Sequence, residues 1–263
     1  MPADIPVSVI IVTKNEERHI ARCLAALDRF DEVIVVNSPS TDKTEEIAES
    51  FNVKVIDFEW NGQYPKKRQW CLDNIPLKNN WVFFVDADEV VTPKLAEEIK
   101  KLDFLCAGYF VRGHYMVGGK PMRHAVVNNK LCLINRRLIE FPVVQDLDIP
   151  GMGEIEGHYQ PVLKGLGKIG QLKNAVHHYA LDNEIDWYRK HIRYAAWEKQ
   201  MIAQNAYPID PIPARQALKV AFRSLPYRGL VSFVYYYIAR LGFLDGRAGL
   251  RLCALKMKYY RAA

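Results

Sequence analysis

The stretch Trp81-Val82-Phe83-Phe84-Val85-Asp86-Ala87-Asp88-Glu89, WVFFVDADE, decides the fold. A short unbroken apolar run is the mark of a strand buried on both faces, as in a parallel sheet covered by helices. Here the run meets three carboxylates within four positions. A buried carboxylate is costly unless a cation faces it. The end of this strand must therefore lie where a cation can approach. In open α/β sheets that place is the crevice beyond the carboxyl ends of the strands, where ligands bind.

Working outward, the same grammar repeats through the first hundred residues. Val7–Val12, Glu32–Val36 and Val53–Phe58 read as further strands. Between them, Glu16–Phe30 shows Ile20, Cys23, Leu24 and Leu27 at helical spacing, and STDKTEEIAESF opens a helix with a polar cap and early acids. Pro65–Asn74 reads as a helix, and Pro93 starts another at a position where proline is tolerated. Strand–helix alternation with short connections predicts a parallel sheet flanked by helices, with a polar cluster after each strand.

The rest of the chain is less regular. Strand-like pieces (GYFVRGHYMV, KLCLINR) alternate with Gly/Pro-rich stretches (PGMGEIEGHYQP, KGLGKIG) through residues 104–180, which predicts long functional loops over the sheet. Asn183–Gln204 turns helical, with Asp182, Trp187, Tyr188, Arg189, His191, Arg193, Tyr194 and Trp197 forming an aromatic and basic surface that meets a ligand or packs. Three regions follow: 1–103, 104–182, and 183–263 as an amphipathic helical extension.

Composition narrows the function classes. With 263 residues, 49% hydrophobic and 25% charged, the chain is a folded globular protein of one large domain or one with an appended segment. The five cysteines are scattered and form no C-x-x-C pair, which argues against a disulfide framework or zinc site and for a reducing compartment. The amino terminus lacks a basic leader and reads as a first strand, not a signal peptide. From Ala214 onward there are ten Lys/Arg and one acid, Asp245, leaving −3 for residues 1–213 out of a chain total of +6. Gly229–Leu244 has sixteen residues and one charge, short of the ~20 that span a bilayer. Flanking cations and several tyrosines predict an interfacial or re-entrant anchor on an anionic leaflet, against a buried hairpin packed on the main domain. The aromatics cluster in one apolar run and do not interleave with bases along a groove, which disfavours nucleic acid as a partner.

The D-x-D of Asp86, Ala87 and Asp88 supplies hard oxygen ligands of the kind Mg²⁺ or Mn²⁺ shares with phosphate. Its alternative role is a turn or a cap for the helix at Pro93. The ordered blocks VSVIIVTKNEE, VVNSPSTDKT, WNGQYPKKRQWCLDN and WVFFVDADEVVTPKL resemble the nucleotide-binding half of family-2 glycosyltransferases with the GT-A fold. The likeness is strongest to the branch that builds lipopolysaccharide cores and other bacterial surface glycans.

That resemblance implies a Rossmann-like GT-A sheet and a set of residue roles. Thr13, Asn15 and Glu16 would lie at the nucleoside. Asn37 and Asp42 belong to the motif after the second strand, where the family usually carries Asp in place of Asn37 and a flexible residue in place of Pro39. An amide still hydrogen-bonds a uracil edge but brings no charge. Arg68, or Lys67, would face the diphosphate at a helix start, although a Lys-Lys-Arg run also reads as a solvated surface. Asp86 would approach the ribose and Asp88 the metal. GEIEGHYQP and the later His177-His178-Tyr179 match the branch's acidic–Gly and His-Tyr positions. Glu156, beside Gly157 and oriented by His158, would be the general base, with Glu154, Asp146 and Asp148 as rivals. His178 would complete the metal's shell, or be structural.

The implied activity is metal-dependent, inverting transfer of a sugar from a UDP-sugar to a lipid-linked or lipopolysaccharide-type glycan. The implied place is the cytoplasmic face of the membrane, held peripherally. Two other classes compete. A sugar-phosphate nucleotidyltransferase would need a Gly-rich basic loop after the first strand, where TKNEE stands instead. A non-catalytic membrane-binding protein would not need the carboxylates, the basic cluster and a base together.

Overall fold

The computed structural model describes residues 4–156, 159–182, 184–208 and 213–263. Gly157 and His158 lie outside the described residues. In chain order the elements are β1 (Ile5–Thr13), α1 (Ile20–Leu24), β2 (Phe30–Asn37), α2 (Thr44–Ser50), β3 (Lys54–Asp57), α3 (Lys67–Asn74), β4 (Trp81–Asp86), β5 (Glu89–Val91) and α4 (Pro93–Lys100). Then come β6 (Gly108–Val117), β7 (Lys120–Pro121), β8 (Val127–Asn135), β9 (Ile139–Glu140), β10 (Val162–Leu163) and β11 (Ile169–His178). Helices α5 (Glu184–Ala203), α6 (Pro213–Arg223), α7 (Arg228–Val234) and α8 (Gly246–Ala262) close the chain.

The main sheet runs β3-β2-β1-β4-β8-β6-β11-β5, with β7 hanging on β6. Its first four strands are parallel, and β1 is central to them, pairing Ile10 with Ile34 on one side and Phe84 on the other. Val82, Phe83, Phe84 and Val85 are all buried, and burial of each stabilises the fold by roughly 1.5–3 kcal/mol relative to exposure. Helix α3 starts two residues after the expected Pro65 and ends at Asn74 as expected, and α4 starts at Pro93, capped by Thr92 Oγ1 accepting from the Leu95 amide.

Three expectations change. The helix expected over Glu16–Phe30 shrinks to Ile20–Leu24, because Asn15 turns the chain through a left-handed conformation and the flanking residues form turns. Residues 104–180 do not lie as long loops over a finished sheet. They add the long strands β6, β8 and β11 to it, β8 pairing antiparallel to β4 and β6, and β11 running parallel to β6. Finally, Gly229–Leu244 is not one re-entrant helix. It breaks into α7, a π-helical turn (Tyr235–Ala239) and a 3₁₀ turn (Gly242–Asp245).

No helix among the described residues is long and apolar enough to cross a membrane. The inner side of the broken segment packs on the body, where Phe233, Tyr236 and Tyr237 meet Tyr115, Met122 and Val126. Asp245 ties it down by accepting the amides of Arg123, His124 and Ala125 at 3.1, 2.9 and 2.8 Å. A side chain at Gly249 would collide with the Gly242 carbonyl, so this glycine sets how closely α8 approaches. The outer side stays bare: Leu230 is 59% and Ile238 58% exposed.

Candidate active site

The carboxyl ends of β1, β2 and β4 and the first turn of α3 converge on one crevice. On its β1–β2 side Thr13 donates to Asn37 Oδ1 at 3.0 Å, and Ser40 donates to the same oxygen at 2.8 Å. Asn37 is buried and its amide nitrogen points to Glu45 at 3.5 Å. Asn15, Glu16 and Asp42 form a second layer of this loop pair. Asn15 Oδ1 accepts the Thr41 amide at 2.7 Å, the Glu16 amide donates to Thr44 Oγ1 at 2.7 Å, and Asp42 accepts the Glu17 and Thr44 amides at 3.1 Å each. Burial alone would raise the Asp42 pKa, but the Thr44 hydroxyl and these amides outweigh it and lower it.

The three carboxylates of DADE each find a different answer to their burial. Asp86 accepts Arg68 Nη2 at 2.9 Å and Lys130 Nζ at 2.6 Å. Burial pushes its pKa up, while Lys130 and Arg68 push harder the other way and hold it well below the usual carboxylate range. Glu89 pairs with Lys130 at 2.7 Å and accepts the Asp86 amide at 3.2 Å. It is 1% exposed, and burial raises its pKa despite Lys130. Asp88 faces His178 Nε2 at 3.3 Å. Burial opposes the charge on both groups, yet their attraction lowers the Asp88 pKa and raises that of His178.

His178 reaches this position because β5 pairs antiparallel with the end of β11, setting His178 opposite Glu89, and the Tyr179 amide donates to the Asp88 carbonyl at 2.8 Å. The Tyr115 ring lies against the imidazole with centroids 4.7 Å apart. Among the described residues Nδ1 of His178 is buried without a hydrogen-bond partner, so the Asp88 contact and packing set the ring's orientation. The neighbouring His177 stands beside Arg123, and burial, aided by that charge, lowers its pKa.

Among the described residues, no three His, Cys, Asp or Glu side chains gather as a ready-made metal cage. Asp88 and His178 offer two donors from neighbouring strand ends. Such a pair fits a divalent cation that keeps waters and shares its shell with substrate phosphates, the usual mode for Mg²⁺.

The first turn of α3 carries the basic cluster, and its three cations part company. Arg68 points to Asp86. Lys67 is 2% exposed and donates to the Thr13 carbonyl at 2.7 Å and Ser38 Oγ at 2.6 Å, so its head is bound at the carboxyl ends of β1 and β2. Lys66 pairs with Asp146 at 2.7 Å in a buried knot with Tyr64 and Trp197 that ties α5 to the body. Glu156 sits on the helix start itself: its two oxygens accept the Arg68 and Gln69 amides at 3.2 and 3.0 Å. A carboxylate there satisfies free amides and faces the positive end of the helix. Burial nevertheless raises its pKa, the main opposition coming from Arg68. Glu154 accepts Ser38 Oγ at 2.6 Å, and Asp148 is exposed.

Arg68, Asp86, Asp88 and His178 are thus brought together, with Ala87 buried between the two aspartates. Thr13 and Asn37 line the adjoining wall, Asn15, Glu16 and Asp42 brace it, and the buried Lys67 is bonded to Thr13 and Ser38 there. Two cations escaped the sequence reading. Lys130 on β8 neutralises both Asp86 and Glu89, and the unmatched carboxylates of DADE were the only signal for it. Lys190 on α5 was passed over among aromatic neighbours. Burial would lower its pKa, but Tyr194, Asp88, Glu16 and Asp86 raise it, which places it in the field of the crevice.

Comparison with known proteins agrees with this architecture. The model for glycosyl transferase family 2 matches residues 8–148. An uncharacterized glycosyltransferase of Rickettsia bellii is 41% identical over 95 residues, covering 36% of this chain and 31% of that protein. The chain matches only about a third of the length of several such rickettsial relatives. A Rhizobium meliloti protein, the lipopolysaccharide core biosynthesis glycosyltransferase LpsC, is 26% identical over 94% of this chain and 84% of its own length. The crystal structure of TarS from Staphylococcus aureus superposes with a TM-score of 0.51 at 20% identity, over 97% of this chain and 54% of that one, a likeness of fold.

Proposed function

The chain belongs to glycosyl transferase family 2, and on that premise we propose that it moves a sugar from a nucleotide-sugar, a UDP-sugar, to a hydroxyl of a lipid-linked or lipopolysaccharide-type glycan. The observation that carries this reading is the Asp86–Asp88 pair at the end of β4, faced by Arg68, Lys130 and His178. The likeness to LpsC over most of the chain supports the acceptor class.

In this reading residues 1–103 hold the donor. Thr13, Asn15, Glu16, Asn37 and Asp42 shape the nucleoside wall, and Asp86 accepts a ribose hydroxyl. Arg68, already at the crevice, exchanges part of its pairing with Asp86 for the diphosphate. Asp88 and His178 hold a divalent cation, Mn²⁺ or Mg²⁺, which when bound neutralises charge building on the departing nucleoside diphosphate.

Residues 104–182 supply the acceptor side. Glu156 takes the proton from the attacking hydroxyl, its burial-raised pKa suiting a base, once one oxygen leaves the α3 amides. The exposed Asp148 in the same loop is the rival. A single displacement with one base inverts an α-linked donor to a β-glycoside. Residues 183–263 hold the enzyme on an anionic membrane surface at the cytoplasmic face.

The test is release of nucleoside diphosphate from a panel of sugar nucleotides, with Mn²⁺ or with chelator. Release from a UDP-sugar that requires Mn²⁺ is expected, and Asp88→Asn should cut it by about 10²-fold or more with the fold intact. No release from any donor overturns the enzymatic reading. Near-normal turnover of Asp88→Asn removes that residue from the metal.

A further inference from the structure

The C-terminal helices hold a second polar site that the transfer chemistry leaves unused. A cavity of about 210 Å³ opens between α5, α6 and α8, lined by Glu198, Tyr207, Lys219, Arg223, Lys256 and Tyr259 among others. Its acid is already answered: Glu198 accepts Arg228 Nη1 at 3.5 Å with one oxygen and the Tyr259 hydroxyl with the other. Two of its cations, Arg223 and Lys256, are not. Arg223 Cζ lies over the Tyr207 ring, 3.6 Å from the centroid, and Lys256 Nζ stands 5.1 Å from that of Tyr259. Among the described residues neither makes a hydrogen bond or ion pair.

A guanidinium stacked on one ring face keeps its edge of N–H donors free, the geometry suited to a tetrahedral oxyanion. Burial lowers the Lys256 pKa to about 8, with Glu198 as the opposing charge, so the ammonium is held at a cost that an anion would relieve. The surroundings say where that anion comes from. On α6, Leu218 is 72% exposed beside Lys219, and Tyr227, just before α7, is 75% exposed. The region carries nine net positive charges from Ala214 onward. Bare apolar side chains together with Arg223 and Lys256 complement the acyl boundary and the headgroups of an anionic bilayer.

We infer that the cavity between α5, α6 and α8 is a binding site for the phosphate of an anionic membrane phospholipid, with Arg223 and Lys256 as its ligands. The site presupposes the membrane-bound enzyme proposed above and gives that docking a point of recognition.

The full chain should sediment with vesicles of phosphatidylcholine containing phosphatidylglycerol and far less with phosphatidylcholine alone. The double variant Arg223→Gln/Lys256→Gln should weaken binding roughly 25-fold, about a factor of five for each basic group. Lys258→Gln/Arg261→Gln, which removes equal charge from α8 outside the cavity, should weaken it several-fold less. Circular dichroism of each variant should match the parent. Equal losses in the two pairs, or none in the first, overturn the site while leaving membrane docking in place. No sedimentation with either vesicle overturns both. Inorganic phosphate titrated alone at constant ionic strength should not saturate the wild type at millimolar concentration. Saturation there, with no preference for phosphatidylglycerol, assigns the cavity to free phosphate and also overturns it.

Discussion

Lys67 in the body and Lys256 in the C-terminal helices both have pKa values pushed down to about 8 by burial. Their circumstances are otherwise opposite. Lys67 delivers its protons to a carbonyl and a hydroxyl, with Glu154 at 4.0 Å. Lys256 delivers its protons to no protein acceptor among the described residues. The body closes most of its buried polar groups on one another, as is usual for buried polar groups, with His178 Nδ1 an exception. The extension leaves donors and apolar side chains open, which is the state of a surface awaiting something else. Burial by itself does not separate a structural lysine from a ligand-binding one; the partner count does.

Replacing a lysine by methionine in each region is the sharpest way to break that contrast. Lys130→Met strands Asp86 and Glu89 without their shared cation, and should cost about 3 kcal/mol in urea denaturation. A loss under ~1 kcal/mol would mean that Arg68 and His178 suffice, and that the body is not closed as described.

Next in size, Glu156→Gln weakens the cap on α3 and should cost about 1 kcal/mol. If Glu156 is also the base, turnover falls by 10²-fold or more while donor affinity holds. Lost stability with normal turnover leaves it a cap alone.

The smallest effect belongs to Lys256→Met, expected within ~0.5 kcal/mol of the parent or slightly stabilising, since no pairing is lost. It should also change the pH dependence in a set direction. In the unfolded chain these lysines keep their proton up to about 10.5, whereas folded they release it near 8. Between those values the unfolded state binds more protons, so stability rises with pH. Charges facing Lys67 are Glu154, Lys14 and Arg68, and for Lys256 the facing charge is Glu198. Lys256→Met should flatten the rise, measured as urea midpoints from pH 8 to 10. An unchanged slope would show that Lys256 is not held in the cavity in solution.

The parallel half was legible in the sequence because β1, β2 and β4 are buried on both faces, so each is an apolar run ended by polar residues. β6 and β8 show in the sequence as the strand-like pieces GYFVRGHYMV and KLCLINR, but their place in the main sheet, and β11 altogether, stay hidden: Arg112, Lys130 and Lys173 interrupt the apolar alternation, and the pairing is set by distant partners. β5 has three residues and no pattern of its own. In the site, Asp86, Asp88 and Arg68 could be named from local motifs. The grip of Glu156 on α3 could not, because 87 positions separate it from Gln69. Lys130 was unreadable for a related reason, since a lone lysine in a strand looks like a solvated edge until Asp86 and Glu89 are folded against it.

The stitching of α3 to the 141–156 loop reaches further than stability. Besides the two amides held by Glu156, Gln69 Oε1 accepts the Phe141 amide at 2.8 Å and the Lys67 amide donates to the Glu154 carbonyl at 2.9 Å. Four bonds thus join the helix bearing Arg68 to the loop bearing Glu156. Under the proposed function the two substrate sides would be geared like meshed wheels: a shift of that loop to admit a glycan would turn the guanidinium that meets the donor.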